Sequence, residues 1–193
     1  DPSADTISII DPGNLDLTEI VPGRISPSAG KASIEWVRLA ARLCLEDKVT
    51  AMATAPINKE SASASGYQGI GHMELLQSIT NASQVATMLI SRSLRVVHLT
   101  THRSLKKACD AVTKENVLAK IKLTHSSFER LGFTSPKIGV SALNPHASDG
   151  GLFGDEEGSV IAPAIEEAQA SNINVSGPIP ADTIFLKAIA GIY

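Results

Sequence analysis

Apolar and polar positions along this chain form alternating strand-like and helix-like segments. Short apolar runs bounded by proline, glycine or asparagine indicate strands, because buried strands are short and end at residues that favour turns. The runs at 85–90 and 94–99 flank a Ser-Arg-Ser turn and predict an antiparallel pair. The other predicted strands cover residues 6–10, residues 49–55 and a buried segment that ends at Leu143.

Segments with apolar residues at helical spacing separate these strands. Ser104 and Thr113 are suited to cap two of the helices, since short hydroxyl side chains accept hydrogen bonds from the first free N–H groups. Pro163 predicts that the helix beginning near Asp155 is kinked or starts late. The first helix has one apolar face, made of Ile34, Val37, Cys44 and either Ala40 or Ala41. The predicted helices cover residues 32–46, 73–78, 105–112, 113–131, a segment from about 155, and 181–189.

The segment 61–71 is small, polar and glycine-containing, which predicts a loop. Strands that alternate with helices along the whole chain are typical of layered α/β proteins. The sequence therefore predicts a three-layer α/β/α fold with a mixed sheet.

Composition and charge narrow the function classes. The chain has 193 residues and a net charge of -3, with no basic run, so nucleic acid and membrane surfaces are not expected partners. No apolar run approaches the about 20 residues that span a bilayer, and the chain opens on a polar segment without signal-peptide character. Cys44 and Cys109 have no partner motif and are interpreted as reduced core residues of a cytoplasmic protein.

Two histidines, His102 and His146, follow predicted strands directly. Ligands of open α/β sheets bind outside the carboxyl ends of strands, and neutral imidazole is the commonest metal ligand. The 44 positions between the two histidines match no metal motif, however, and two ligands do not complete a zinc site. From spacing alone, surface or capping histidines are favoured over a metal site.

Other polar residues have two interpretations each. His72 could hydrogen-bond a substrate or cap the next helix, and the local pattern favours neither. Lys59 is an ordinary solvated lysine unless an anionic substrate lies beside it, and Asp182 is better explained as a helix cap than as a catalytic group. The glycine-rich segment 150–154 lacks both dinucleotide and P-loop spacing and leads into acidic residues, which favours a turn over a phosphate site. His98 and His125 are interpreted as core or surface residues.

Six short segments, in order along the chain, together resemble one enzyme family. These segments are Thr-Ala-Pro-Ile-Asn-Lys at 54–59, Gly-His-Met-Glu at 71–74, Thr-Thr-His at 100–102, Leu-Asn-Pro-His-Ala at 143–147, the stretch 151–157, and Gly-Pro-Ile-Pro-Ala-Asp-Thr at 177–183. The chain resembles 4-hydroxythreonine-4-phosphate dehydrogenase of vitamin B6 synthesis and relatives that act on phosphorylated sugar acids.

The resemblance implies an isocitrate/isopropylmalate dehydrogenase-like fold and a homodimer with its active site at the subunit interface. It also implies that these residues are an interior portion of a longer enzyme, with parts of two α/β subdomains whose boundary the pattern does not mark. The family binds one divalent metal through three histidines from both subunits, and His102 and His146 match two of them. The third belongs to a segment that the chain does not reach. Zinc is the favoured ion, with magnesium, manganese and cobalt as alternatives.

The activity that the resemblance implies is metal-dependent oxidation and decarboxylation of a phosphorylated hydroxy acid, with NAD or NADP as hydride acceptor. The expected substrate is 4-hydroxythreonine 4-phosphate, and the alternatives are threonate or erythronate 4-phosphate or a cyclic dihydrodiol. An alternative of another class is a non-catalytic module that binds metal or a small molecule. His72 would orient the substrate beside Met73, which stands where the family usually has threonine. Lys59 and Asp182 are candidates for proton transfer or charge balance.

Overall fold

The computed structural model describes residues 5–69 and 71–193. The chain divides into two compact units, Asp1–Val85 and Ala86–Tyr193. The helices of the first unit are α1 (Pro27–Leu45), α2 (Lys59–Ala64) and α3 (His72–Thr80). The second unit contains, in chain order, β1 (Met88–Ser91), β2 (Leu94–Val97), α4 (Leu105–Asp110), α5 (Lys114–Arg130), β3 (Ile138–Ser141), α6 (Ala162–Ala170), β4 (Val175–Ile179) and α7 (Ala181–Ile189).

In the first unit, α1 is the central element. The Ser26 side chain accepts a hydrogen bond from the Ala29 N–H, so the helix starts earlier than predicted. Of the apolar face expected from periodicity, Ile34, Val37 and Ala41 are buried. This face packs against α2 and α3 in a small core of Ile34, Val37, Ala62 and Leu75. A Cβ added to Gly30 would lie 2.1 Å from the backbone oxygen of Ser61, so α1 and α2 cross at a position that only glycine allows.

Three predictions for the first unit are wrong. In the described chain, residues 6–10 and 49–55 form no strand, and Ile7 is 91% exposed. An apolar run becomes a strand only when a neighbouring strand pairs with it, and the described part of this unit offers none. The expected loop at 61–71 is wrong in its first part, because α2 occupies it. Asn58 starts that helix by accepting a hydrogen bond from the Ser61 N–H at 2.8 Å.

The strands of the second unit form two small sheets. β1 and β2 are antiparallel, as predicted, with Met88 opposite Val97. β3 and β4 are parallel, with Ile138 opposite Val175 and an irregularity between Gly139 and Ser141. The α/β class is confirmed, and the described strands form two two-stranded sheets in place of one mixed sheet. The pattern did not predict β4 because it contains glycine and proline, which are uncommon inside strands.

Helix positions in the second unit agree well with the sequence. Ser104 and Thr113 cap α4 and α5, and α7 has the predicted limits. The helix expected from about residue 155 is irregular near Pro163, as the proline predicts: a π-helical turn, Glu157–Ile161, leads into α6, and Pro163 lies in the first turn of α6. The core of this unit joins α5, the π-helical turn, α6 and the start of β4, through Val117, Ile121, Ile161, Ala164, Ile165, Ala168, Ile173 and Val175.

The two cysteines are free thiols, but the prediction that both lie in the core is wrong. Cys44 is half-buried and Cys109 is exposed, since α4 contributes no buried residue. Among the described residues, no helix combines the length and apolar character that a bilayer crossing requires.

Candidate active site

His102 and His146 occupy equivalent positions in the second unit. His102 is the fifth residue after the end of β2, and His146 is the fifth after the end of β3. Both residues are exposed, and both have a left-handed backbone, with φ of 53° and 54°. Non-glycine residues seldom adopt this conformation, and where they do they cluster at functional sites.

The strands that precede these histidines line one cavity of about 580 Å³. Its walls are mainly apolar and include β2, β3 and residues of α4, α5 and α7. The lining extends to Thr100 and Leu143, which lie two and three residues before the histidines. The histidine-bearing loops therefore leave the sheet edges that flank this cavity.

The loop that carries His146 is a left-handed helical turn. From His146 to Gly150 the five φ angles are 54°, 54°, 68°, 44° and 71°. A left-handed helical conformation costs roughly 1–2 kcal/mol for each residue with a side chain. Only Gly150 in this run avoids that cost, so other interactions must stabilise the turn.

The carboxylate of Glu157 supplies those interactions. Its Oε1 accepts hydrogen bonds from the backbone N–H groups of Leu143 at 2.8 Å and Asn144 at 2.6 Å. Its Oε2 accepts from Asn144 Nδ2 at 2.9 Å and from the Ser148 hydroxyl. Glu157 is 4% exposed. One buried carboxylate thus binds the chain on both sides of His146.

The pKa of Glu157 reflects this environment. Burial alone raises the pKa, but hydrogen bonds from the Ser148 side chain and from the backbone and side chain of Asn144 outweigh it and lower the pKa to about 2. The carboxylate is therefore ionised at neutral pH and can accept from all four donors. Asn144 Nδ2 also donates to Glu156 Oε2 at 2.7 Å.

In the first unit, Lys59 and His72 begin helices α2 and α3. A Cβ built on Gly71 would lie 3.8 Å from Lys59 Cε and 3.7 Å from Glu74 Oε2, so both side chains lie beside the start of α3. The capping interpretation of His72 is wrong: Gly71 occupies the N-cap, and no side chain in the described chain caps α3. Met73 follows in the first turn and is half-buried.

His72 has one unusual property. Its Nε2 atom is buried and has no hydrogen-bond partner among residues 5–69 and 71–193. Buried polar atoms nearly always have a partner, and one without it requires an explanation such as a ligand. This atom is therefore available for an incoming polar group.

Asp182 lies in the first turn of α7 and is exposed. The capping interpretation of this residue is also wrong, because Pro180 occupies the N-cap and no described side chain caps the helix. The structure thus places Lys59, His72 and Met73 in the first unit and His102, His146 and Asp182 in the second.

The donor chemistry of His102 and His146 suits a divalent ion such as zinc, since imidazole nitrogen is a preferred zinc ligand. Both imidazoles are on exposed loops, where an ion could reach them. Within the described residues, no group of three or more histidine, cysteine, aspartate or glutamate side chains is placed to hold a metal. The two histidines therefore fit as two members of a ligand set that the described chain does not complete.

Sequence reasoning did not identify Glu157, Asn144 and Ser148 as residues that shape the site. It placed Glu157 in an acidic group at the start of a helix, and that helical start is correct. In the structure Glu157, the third acidic residue of the run, is buried, whereas Asp155, the first, is exposed. No periodicity in the sequence distinguishes these positions.

Comparison with known proteins gives consistent results. A sequence model of the family described as "Pyridoxal phosphate biosynthetic protein PdxA" matches residues 2–193. A Clostridium botulinum (strain Hall) protein named "Putative D-threonate 4-phosphate dehydrogenase" is 44% identical over 188 residues, which cover 97% of this chain and 56% of that protein. The chain therefore spans about half the length of the curated relatives it matches.

Solved structures show the same similarity. The crystal structure of 4-hydroxythreonine-4-phosphate dehydrogenase from Klebsiella pneumoniae has a TM-score of 0.87 at 38% identity, covering 91% of this chain and 53% of that one. A terephthalate 1,2-cis-dihydrodiol dehydrogenase from Burkholderia xenovorans has a TM-score of 0.64 at 25% identity, covering 93% of this chain and 58% of that one. The predicted dehydrogenase-like α/β fold is thereby confirmed.

Proposed function

The chain belongs to the PdxA family of pyridoxal phosphate biosynthetic proteins, and from this premise we propose that the protein oxidises and decarboxylates a phosphorylated hydroxy acid with NAD. One structural observation carries the proposal. His102 and His146 each lie five residues beyond a strand that lines the same cavity, and each has a left-handed backbone. Ligands bind at such strand ends, and strained backbone is concentrated at functional sites.

Two substrates are supported. The similarity to the Klebsiella pneumoniae enzyme, with a TM-score of 0.87, supports 4-hydroxythreonine 4-phosphate as one candidate. The name of the 44% identical Clostridium protein favours threonate 4-phosphate as a second candidate. The two acids share the carboxylate, the C3 hydroxyl and the phosphate, and they differ at C2, which bears an amino group in one and a hydroxyl in the other. The dihydrodiol alternative is supported by the weaker similarity, that to the Burkholderia xenovorans enzyme with a TM-score of 0.64.

The reaction is balanced without a further reactant. Hydride passes from C3 to the nicotinamide of NAD, or of NADP, and the C3 hydroxyl releases its proton. The resulting 3-keto acid loses carbon dioxide, and the electron pair of the broken C–C bond stays on the substrate as an enolate that is then protonated. Release of one proton and uptake of another require groups that can exchange protons near the substrate.

We assign roles to this chain's residues accordingly. The buried Nε2 of His72 hydrogen-bonds the substrate, and Met73 contacts it from the same helical turn. Lys59, beside Gly71, balances the negative charge of the substrate or transfers a proton, and Asp182 is the second candidate for proton transfer. His102 and His146 would hold a divalent ion, zinc being favoured over magnesium, manganese or cobalt. When bound, such an ion supplies Lewis-acid stabilisation of negative charge on the substrate oxygens.

An assay of the natural full-length protein tests this function. Purified protein is incubated with NAD and each phosphorylated acid (4-hydroxythreonine, threonate and erythronate 4-phosphates), and NADH is measured by absorbance, with and without a chelator. His102→Ala and His146→Ala should each lower kcat/KM by at least the roughly 10–100-fold that loss of a residue supporting a metal ligand causes, since they remove the proposed ligand itself. His125→Ala, which changes a histidine paired with Glu129 on α5, is the matched control.

The outcomes separate the alternatives. NADH formation that is unaffected by both substitutions would refute the assigned metal ligands. Metal binding without NADH formation from any of the acids would favour the non-catalytic binding module. We further propose that the protein is a homodimer with its active site at the subunit interface and that it is cytoplasmic, in agreement with its two free cysteines.

A further inference from the structure

We propose that Glu157 is a positioning residue for His146: its carboxylate sets the left-handed turn and so fixes the direction in which the imidazole points. The inference rests on the proposed function, in which His146 is a metal ligand. Glu157 itself contacts neither the substrate nor the ion in this proposal. Its effect passes through the backbone of the loop.

The four donors to the Glu157 carboxylate lie on both sides of His146 in the chain. Two are backbone N–H groups, of Leu143 and Asn144, which precede His146, and the Ser148 hydroxyl follows it. A carboxylate that binds the chain two residues before and two residues after His146 restricts the backbone angles between those points. Within the turn, the Ala147 N–H also donates to the Asn144 carbonyl at 3.3 Å.

The core of the second unit holds Glu157 in place. Glu157 is the first residue of the π-helical turn, and that turn ends at Ile161, which is 3% exposed within the core of the second unit. The carboxylate is therefore fixed relative to packed side chains of α5 and α6. π-helical turns are rare and occur frequently at functional sites.

The hydrogen bonds of Glu157 do not involve the imidazole of His146. His146 is exposed, and its ring lies 6.4 Å from the ring of Phe153, tilted by 59°. The hydrogen bonds of Glu157 go to Leu143, Asn144 and Ser148, so neither imidazole nitrogen is occupied by the carboxylate. Glu157 can therefore orient His146 without occupying the ring nitrogen that would bind the metal ion.

The test is Co²⁺ binding to the natural full-length protein and its Glu157→Gln variant. Affinity is measured by calorimetric titration, and coordination is followed by the visible absorption of Co²⁺. Both are recorded at a temperature at which circular dichroism shows the variant to be folded. Glutamine keeps the size of the side chain but cannot accept on both of its terminal atoms. We expect Co²⁺ affinity to fall 10- to 100-fold, as for other residues that orient a metal ligand, with an altered absorption band.

Two further variants complete the design. Glu166→Gln removes the same charge from an exposed position on α6 and should leave Co²⁺ affinity unchanged. Ser148→Ala removes one of the four donors and should weaken Co²⁺ binding several-fold. It keeps the test decisive if Glu157→Gln does not fold.

The outcomes distinguish this inference from the proposed function. The positioning role alone is overturned if folded Glu157→Gln binds Co²⁺ with the affinity and absorption band of the parent protein. If Glu157→Gln does not fold, the same result for Ser148→Ala overturns it. A parent protein that binds no Co²⁺, or a His146→Ala variant that binds it as the parent does, overturns the proposed metal ligand and the inference with it. Weaker binding with an altered band in Glu157→Gln and an unchanged Glu166→Gln supports the positioning role.

Discussion

At the residue scale, the carboxylate of Glu157 joins parts of the chain up to 14 positions apart. The candidate ligand His146 could be identified from the sequence, because strand exits and residue types are visible there. Glu157, which shapes the loop of His146, could not be identified from the sequence. Its partners include backbone N–H groups, and every residue except proline has one. The roles of the six predicted site residues, Lys59, His72, Met73, His102, His146 and Asp182, remain predictions, whereas the capping interpretations of His72 and Asp182 are wrong.

The low pKa of Glu157 predicts how stability depends on pH. A carboxyl whose folded-state pKa lies below its ordinary value of 4.5 stabilises the folded protein above that value, and the stabilisation is lost as pH falls towards about 2. The difference corresponds to about 3 kcal/mol of the free energy of unfolding at neutral pH. Urea titrations of the parent and of Glu157→Gln should differ most near neutral pH and converge as pH approaches about 2. A difference that stays constant across this range would contradict the prediction.

At the element scale, helices were predicted best from the sequence, because the positions of their ends depend on nearby residues. Ser104 and Thr113 were correctly identified as caps, and α7 was predicted with its limits, because capping and helical spacing are local. Strands at 6–10 and 49–55 were wrong because strand formation depends on a partner strand. β4 was not predicted because it contains glycine and proline, which are uncommon inside strands. Its parallel neighbour, β3, is also distant in the sequence.

The crossing of α1 and α2 depends on Gly30. A methyl group there would lie 2.1 Å from the Ser61 carbonyl oxygen, and backbone atoms cannot move aside as a side chain can. Gly30→Ala should therefore lower the free energy of unfolding by about 1–3 kcal/mol, despite the better helix propensity of alanine. Thermal or urea unfolding measures the change. Gly158→Ala is the control, because its added Cβ meets no other part of the protein within 4 Å beyond the adjacent chain, and it should be neutral or slightly stabilising.

The start of α2 depends on Asn58, which precedes Lys59. Asn58→Ala removes the acceptor for the Ser61 N–H and should cost about 1 kcal/mol of stability. Asn58→Asp keeps a side-chain oxygen and should retain most of that stability. Urea unfolding of the three proteins tests this order, and equal stability of the alanine and aspartate variants would show that the cap contributes nothing.

At the scale of the whole molecule, each unit has a core of its own, and candidate site residues occur in both. The sequence contains no marked linker at the division between Val85 and Ala86, so the family resemblance implied two subdomains without locating their boundary. Contacts among many distant residues define such units, and no local signal records them.

The proposed homodimer is a prediction at this scale. Large apolar side chains are exposed in both units, for example Trp36 in the first and Phe185 and Leu186 in the second, and exposed apolar patches often mark interaction surfaces. Light scattering coupled to size-exclusion chromatography of the natural full-length protein should give twice the mass of one subunit. The same mass should persist on dilution through the micromolar range, and a single-subunit mass at every concentration would contradict the prediction.

The left-handed turn after β3 has a stereochemical consequence. Its backbone angles at Ala147, φ 54° and ψ 50°, are those of an ordinary helix in mirror image. A D-amino acid prefers this region as strongly as an L-amino acid avoids it. Semisynthesis that places D-alanine at this position would therefore relieve the local conformational penalty and make the loop less dependent on its carboxylate support.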